Sequence, residues 1–323
     1  MKILQFTSMQ DPQATARLVR ATRRTAATVV LDLEDSLWDV LDETRTPALK
    51  AAGRDDLVTL AQAHHALFAE QRIGVRVNRL AGPYAALDFE ALGRASKYVE
   101  FECVIPTKVE SAAAIRENIA GLRAAGVAYR GLVPIVETRR GLANLDEILE
   151  AARGAGVEWL VYGLYDLSLD SGWWPFPRPS EPLYWEMVEP LIPRWEAAGL
   201  GFVQPPYFQT HDGAGMAAIL ERLARACTRE FGLLTVGLRQ TEVVLRLSGK
   251  TPSDDDDGGA SRGADIIESA DLAPGDYARY VVETFLAERR HSAGVALDPK
   301  SGEFISPHVF LAARDYLRRT GDG

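Results

Sequence analysis

The amino-acid sequence predicts a single (β/α)8 TIM barrel followed by a small C-terminal helical extension. Three observations support this prediction. Eight short apolar runs occur before residue 248, helix-length amphipathic segments separate them, and the alternation stops after Leu247. Near-continuous apolar strands separated by helices are typical of a parallel sheet that is covered on both faces. Eight such units fit a closed barrel better than an open sheet, which usually has about five or six strands.

The strands and helices are predicted from the spacing of apolar residues. The predicted strands are residues 3–7, 28–33, 73–78, 101–105, 131–136, 158–163, 201–203 and 233–236. Between them, apolar residues recur at intervals of three and four, as on one face of a helix. One such stripe comprises Leu57, Leu60, Ala61, His64, Leu67 and Phe68, and another comprises Met216, Ile219, Leu220, Leu223 and Cys227.

The chain after Leu247 has a different character. Residues 248–263 contain four consecutive aspartates among Gly, Ser and Pro, which predicts a solvated, disordered loop. A helix is predicted over about 276–290, then an extended piece at 295–297, a turn at 299–302 and a closing helix from Pro307. We therefore divide the chain into a barrel (1–247), an acidic loop (248–263) and a helical arm (264–323). About 60 residues are too few to hold a core of their own, so the arm must pack on the barrel or on a neighbouring subunit.

Composition excludes several classes of protein. The 323 residues include 47% hydrophobic and 25% charged residues, which excludes global disorder. A net charge of −9 without a basic patch predicts no binding to nucleic acid. We find neither an apolar run of about 18–20 residues nor an N-terminal signal sequence, so no membrane association is expected. Two distant cysteines, Cys103 and Cys227, predict a reduced, cytoplasmic protein.

Ionisable residues cluster where the predicted strands end, which is the face that carries the active site of a barrel. Each residue alone has a simpler interpretation, such as capping the next helix or pairing with a neighbour in solvent. Charges on five successive strands, however, would repel each other unless a cation and an anionic substrate compensated them. The residues are Asp32, Glu34 and Asp35 after the second strand, Arg76 in the third, Lys108 after the fourth, Glu137 and Thr138 after the fifth, and Asp166 and Asp170 after the sixth.

These carboxylates predict a site for Mg²⁺. They are distant in sequence and have no nearby His or Cys, which suits a hard cation that prefers oxygen ligands. Glu137 and Asp166 end adjacent strands and form the natural pair of metal ligands. Arg76 is then expected to be free to hold a substrate carboxylate in bidentate geometry and to stabilise a developing enolate.

Five motifs in order carry a resemblance to a known family. They read Leu-Asp-Leu-Glu-Asp-Ser (31–36), Val-Arg-Val-Asn (75–78), Ile-Pro-Thr-Lys-Val-Glu-Ser (105–111), Pro-Ile-Val-Glu-Thr-Arg-Arg-Gly (134–141) and Tyr-Gly-Leu-Tyr-Asp-Leu-Ser-Leu-Asp (162–170). Over roughly residues 3–318 the chain resembles the citrate lyase beta-chain-like members of the HpcH/HpaI aldolase family, within the phosphoenolpyruvate/pyruvate barrel superfamily.

The resemblance implies a Mg²⁺-dependent barrel that cleaves or forms carbon–carbon bonds in 2-oxo acids or acyl-CoA substrates, usually as a trimer or hexamer. It implies that Glu137 and Asp166 bind the metal, that Arg76 binds substrate, and that Glu34 and Asp35 orient metal-bound waters. The candidate catalytic residues are Arg76, Glu34 and Asp35, and the candidate substrate-binding residues are Arg76, Lys108 and Thr138. Further candidates are Asp32, Asp170, His211 and Trp173, the last as part of a pocket wall.

The sequence also departs from the family pattern. Asp35 stands where HpcH-type aldolases carry a His, and Gly237-Leu238 stand where members commonly have His-Pro. Thr107 is an additional residue that could shift Lys108. Ser306, an expected N-cap before Pro307, stands where acyl-CoA relatives place an Asp. Two alternatives therefore stay open: a thioester hydrolase on the same site, and a catalytically silent barrel that acts as a binding or assembly subunit.

Overall fold

The barrel is built from nine parallel strands in a computed structural model that describes residues 1–23, 25–249, 272–288 and 295–321. The strands are β1 (Lys2–Ser8), β2 (Thr28–Asp32), β3 (Ile73–Val77), β4 (Phe101–Pro106), β5 (Tyr129–Leu132), β6 (Ile135–Val136), β7 (Trp159–Tyr162), β8 (Gly201–Gln204) and β9 (Gly232–Thr235). Their order in the sheet is β5-β4-β3-β2-β1-β9-β8-β7-β6.

The sheet closes on itself through the predicted fifth strand, which the structure divides into β5 and β6. β5 pairs with β4, whereas β6 pairs with β7 at the opposite end of the sheet. The change of partner falls at Val133 and Pro134: the Val133 N–H donates to the Val104 carbonyl, and the Pro134 carbonyl accepts from the Val161 N–H. The predicted barrel is therefore confirmed, with one strand shared between both edges.

Helices follow most of the strands and cover the barrel. They are α1 (Pro12–Thr22), α2 (Thr46–Ala63), α3 (His65–Ala69), α4 (Ala85–Ala95), α5 (Ala112–Ala124), α6 (Arg139–Ala143), α7 (Leu145–Gly154), α8 (Leu164–Ser171), α9 (Pro182–Val188), α10 (Ile192–Ala197), α11 (Gly213–Ala226) and α12 (Leu238–Leu247). Short 3-10 turns lie at Asp35–Leu37 and Glu43–Arg45. Within the described chain, no helix is both long and apolar enough to cross a membrane.

Two apolar layers explain why the strands are apolar along their whole length. In β2, Val30 packs in the barrel interior, while Val29 and Leu31 pack in the layer between the strands and the helices. Residues of successive strands alternate in this way because side chains along a strand point to opposite faces. The interior layer comprises Leu4, Val30, Cys103, Ile105, Val133, Ile135, Val161, Val203 and Leu234.

The C-terminal arm consists of α13 (Pro274–Glu288), the two-stranded hairpin β10 (Ala296–Leu297) and β11 (Phe304–Ile305), and α14 (Pro307–Thr320). The two helices pack together through the stacked rings of Phe285 and Phe310. The arm also packs on a barrel loop, where the Trp174 ring stacks on Tyr277 and its Nε1 donates to the Pro274 carbonyl at 2.9 Å. The predicted disorder of the acidic loop concerns residues that, from 250 onward, lie outside the described part of the chain.

Candidate active site

A cavity of about 600 Å³ opens where the carboxyl ends of the strands meet the C-terminal arm. This is the face on which the strand-end residues were expected to meet. The charged residues that line the cavity are Asp32, Asp35, Arg76, Glu137, Asp166 and His308. Glu34 and Lys108 contact this set, so the structure brings together most of the residues that the sequence singled out.

Arg76 is bound by carboxylates and is not free, which corrects the prediction made from the sequence. Its Nε and Nη2 donate to the two oxygens of Asp32 at 2.7 and 2.6 Å, and its Nη1 donates to Asp35 at 2.9 Å. Glu34 Oε2 lies 3.1 Å from Nη1. The guanidinium also lies over the Phe6 ring, 5.1 Å from its centroid. A substrate carboxylate can therefore use only the N–H groups of Arg76 that these contacts leave available.

Asp32 shapes the loop that carries the neighbouring acids. Its Oδ1 accepts from the Glu34 N–H at 2.8 Å, and its Oδ2 accepts from the Ser36 N–H at 3.0 Å. Such a bond from an Asp to the backbone two residues on is an Asx turn. From below, the buried Lys50 donates to the Leu33 and Glu34 carbonyls. The loop is therefore fixed from both sides, and Asp32 positions Arg76, Glu34 and Asp35.

Lys108 places its ammonium among the carboxylates. Its Nζ lies 2.5 Å from Glu34, 3.0 Å from Asp166 and 4.0 Å from Glu137. Burial alone would lower the pKa of Lys108, but these carboxylates raise it well above its usual value, so the group stays charged. Lys108 has a positive φ of 50°, an uncommon conformation for a residue with a side chain, and its N–H donates to Glu137 at 2.9 Å. We find Lys108 holding the acids together rather than lining the cavity.

Glu137 and Asp166 approach each other from the ends of β6 and β7. A Cβ at Gly163 would lie 2.2 Å from Glu137 Cβ and 2.7 Å from its Oε2, so the glycine leaves the room that this carboxylate occupies. Burial, followed by the charge of Asp166, raises the pKa of Glu137 well above its usual value. Burial would also raise the pKa of Asp166, but His308 and Lys108 outweigh it and lower that pKa. The two carboxyl groups therefore differ: Asp166 is paired with Lys108 and His308, whereas burial and the charge of Asp166 disfavour the ionised form of Glu137.

His308, at the start of α14, is a site residue that the sequence analysis missed. Its Nε2 lies 3.3 Å from Asp166 and 3.7 Å from Asp35, and its ring contacts Trp38 edge-on. Burial would lower the pKa of His308, but Asp166 and Asp35 raise it to about 9. One sequence feature could have indicated His308, namely the predicted helix start at Ser306-Pro307. This helix belongs to an arm that must pack on the barrel, so the first turn of the helix can lie against the barrel.

The donor set fits a divalent cation. Asp35, Asp166 and His308 each offer a ligand atom, and these atoms lie within 4.8 Å of one another. Glu137 and Asp166 converge on the point where the Lys108 ammonium lies. A divalent cation bound there would favour the ionised form of both Glu137 and Asp166, and carboxylate oxygens are the ligands that Mg²⁺ prefers. The residues present thus fit the metal that the sequence predicts.

Four predicted residues lie elsewhere and have structural roles. Thr138 is the N-cap of α6, with its Oγ1 accepting from the Gly141 N–H at 3.0 Å. Asp170 accepts from the Arg139 N–H at 2.8 Å and holds the start of the same helix. His211 is exposed, and its ring lies against Gly302, where an added Cβ would come within 3.1 Å of the ring. Gly302 also has a φ of +69°, which disfavours a residue with a side chain. Trp173 packs on the main core, and it is the neighbouring Trp174 and Phe176 that face the arm.

Comparison with known proteins places the chain in a family. A family model described as HpcH/HpaI aldolase/citrate lyase matches residues 6–178, more than half of the chain. The chain belongs to the HpcH/HpaI aldolase/citrate lyase family. The prediction of a carbon–carbon lyase is therefore confirmed at the level of this family. A search of curated proteins gave no match.

Solved structures show the same fold as this HpcH/HpaI family member. CitE from Mycobacterium tuberculosis, in complex with magnesium, acetoacetate and coenzyme A, is 21% identical with a TM-score of 0.57, covering 99% of this chain and 98% of its own. The citrate lyase beta subunit from M. tuberculosis, complexed with oxaloacetate and magnesium, is 22% identical with a TM-score of 0.56, covering 77% and 96%. RipC from Yersinia pestis is 20% identical with a TM-score of 0.55, covering 78% and 96%.

Proposed function

We propose that this protein is a Mg²⁺-dependent lyase that cleaves a carbon–carbon bond in a small oxo- or hydroxy-acid. The observation that carries the proposal is the convergence of the Glu137, Asp166, Asp35 and Glu34 carboxylates beside one cavity. Among the described residues, their cationic partners are Arg76, Lys108 and His308. Glu137 and Asp166 would hold the ion. Bound there, Mg²⁺ would act as a Lewis acid toward the oxygens of the substrate.

The side chains supply binding and proton transfer. A retro-aldol cleavage removes the proton of the substrate hydroxyl, breaks the adjacent carbon–carbon bond to release a carbonyl compound, and returns a proton to the carbon of the enolate that remains. The Arg76 guanidinium, held rigid by Asp32, faces the cavity where the enolate charge develops. Asp35, which lines the cavity and whose Oδ1 lies 3.7 Å from His308 Nε2, is our candidate for the group that accepts the proton.

Two substitutions test this function. Glu137→Gln and Asp166→Asn each remove one negative ligand, so we expect Mg²⁺ affinity, measured by calorimetric titration, to fall by about 10²-fold or more. Release of pyruvate from a panel of 4-hydroxy-2-oxo acids and oxaloacetate should fall with it. Asp146→Asn, at an exposed carboxylate that pairs with Arg194, is the matched control and should change neither.

The same assay separates the alternatives. Release of free thiol from acyl-CoA, without pyruvate from any acid, would replace the lyase by a thioester hydrolase. Mg²⁺ binding that is unchanged in both variants would remove the basis of the metal site. Absence of both reactions in the wild-type protein would favour the silent binding or assembly subunit.

A further inference from the structure

The cavity is lined by apolar side chains as well as by residues of the charged cluster. The arm contributes Val295, Leu297 and Phe304, and the segment from the end of β9 to the start of α12 contributes Val236 and Leu238. All five side chains line the same cavity as Arg76 and Asp166, but they belong to the arm and to the segment after β9, whereas Arg76 lies in β3 and Asp166 in α8. We call the part of the cavity that they line the apolar end. The substrate site therefore has two chemically different ends.

Aromatic stacking makes this wall a fixed surface. The Phe208 ring stacks on Tyr165 with centroids 4.0 Å apart and an interplanar angle of 19°, and it also contacts Phe304. Tyr165 is anchored in turn, because its hydroxyl donates to the Pro206 carbonyl at 3.0 Å. Tyr165, Phe208 and Phe304 all line the cavity. A wall held in this way can select a ligand by shape as well as by polarity.

Among the described residues, the apolar end offers no cation to a second anionic group. Among the described residues that line the cavity, the cationic side chains are Arg76 and His308, and both already contact carboxylates of the charged cluster. A phosphate or a second carboxylate at the apolar end would therefore lose its hydration without an ionic partner. An alkyl or aryl group there would instead gain from leaving water.

The volume also exceeds what a small acid needs. A cavity of about 600 Å³ lies within the range of roughly 300–1,000 Å³ that holds drug-sized ligands. We propose that the substrate is a monocarboxylic oxo- or hydroxy-acid with an apolar tail, and that the tail binds between Leu238, Phe208 and the arm residues Leu297 and Phe304. The position of the substrate carboxylate rests on the proposed function, whereas the position of the tail rests on the cavity alone.

The test is a homologous series of ligands. With Mg²⁺ present, we measure the dissociation constants of pyruvate, 2-oxobutanoate, 2-oxohexanoate and 2-oxooctanoate by calorimetry. Burial of one methylene contributes about 0.8 kcal/mol, so affinity should rise about fourfold per added carbon until the apolar end of the cavity is full. Leu238→Gln should flatten this series, and Leu87→Gln, at an exposed helix position, should leave the series as it is in the wild-type protein.

Several outcomes would overturn the proposal. These are an affinity that stays constant or falls with chain length, tighter binding of a 2-oxo dicarboxylate than of the monocarboxylate of equal length, and displacement of 2-oxooctanoate by coenzyme A. Failure of the proposed function is separate from these. If pyruvate shows no Mg²⁺-dependent binding, the dissociation constants of butanoate, hexanoate and octanoate still test whether the cavity binds an apolar tail. A fourfold rise in affinity per carbon supports tail binding, and a flat series refutes it.

Discussion

At the scale of single residues, Gln5 is a buried side chain whose amide group has no hydrogen-bond partner among the described residues. It is fully buried in β1, lines the cavity, and neither its amide nitrogen nor its oxygen has a hydrogen-bond partner among the described residues. Such a group costs about 1–3 kcal/mol of stability when it is buried unpaired. Gln240 provides the contrast, since its Oε1 accepts from the Val236 N–H and its Nε2 donates to the Tyr207 carbonyl.

We expect Gln5→Leu to stabilise the protein by about 1 kcal/mol, because it replaces an unpaired amide by an apolar group of similar size. Gln240→Leu should destabilise it, because two backbone groups would lose their partners. Equilibrium urea unfolding of both variants measures the free energy of unfolding. Equal destabilisation by the two substitutions would show that the Gln5 amide is hydrogen-bonded in the folded protein.

Also at this scale, the charged residues illustrate what sequence reasoning could and could not reach. The strand-end pattern identified Asp32, Glu34, Asp35, Arg76, Lys108, Glu137 and Asp166 as residues of one face, and the structure brings all seven together. It did not identify which cation pairs with which acid. Arg76 and Asp32 are 44 positions apart, and their bidentate contact depends on the register between β2 and β3.

At the scale of elements, the first turn of α14 carries His308 into the site. Ser306 is the N-cap of this helix and Pro307 follows at its first position, as the sequence predicted. The Ser306 hydroxyl accepts from the Val309 N–H at 3.4 Å, so this hydrogen bond spans the turn that contains His308. The residue that departs from the pattern of the acyl-CoA relatives thus caps the helix whose first turn carries His308.

Ser306→Ala should lower the free energy of unfolding by about 1 kcal/mol, because the helix loses a cap. Ser306→Asp keeps an oxygen acceptor at the same position and should retain most of that stability. Urea unfolding followed by tryptophan fluorescence reports on both variants, since Trp174 stacks on the arm. An alanine variant as stable as the wild-type protein would mean that the hydroxyl contributes nothing to the helix.

At the scale of the whole molecule, barrel and arm form one site within one chain. His308 of the arm contacts Asp166 of the barrel, and Glu303 of the arm pairs with Arg178 of the barrel at 3.1 Å. Beneath the loop of Glu34, a buried polar network links α2, the end of β3 and α4. It comprises Lys50, Arg54, Asn78 and Asp88. The trimer or hexamer implied by the family resemblance stays a prediction.

The arm should therefore act on its own barrel. We expect that mixing Glu137→Gln protein with His308→Ala protein, by joint refolding at equal concentrations, restores no activity, because every intact arm then meets a defective barrel. Pyruvate release measures the outcome, and sedimentation velocity gives the oligomeric state of the mixture. Recovery of activity in the mixture would show that arms are exchanged between subunits.

By itself, the sequence determined the barrel, the arm helices and the face on which the charges lie. These features follow from apolar periodicity and capping residues, which act over a few positions along the chain. Thr138, Asp170 and Trp173 lie outside the charged cluster because a helix cap or a packed ring has the same local pattern as a site residue, and His211 lies on the exposed surface. Only the tertiary structure decided the closure at Val133–Pro134, the binding of Arg76 by Asp32, the entry of His308 and the apolar end of the cavity. Each of these depends on contacts between distant segments, whose relative position the packing of the whole barrel sets.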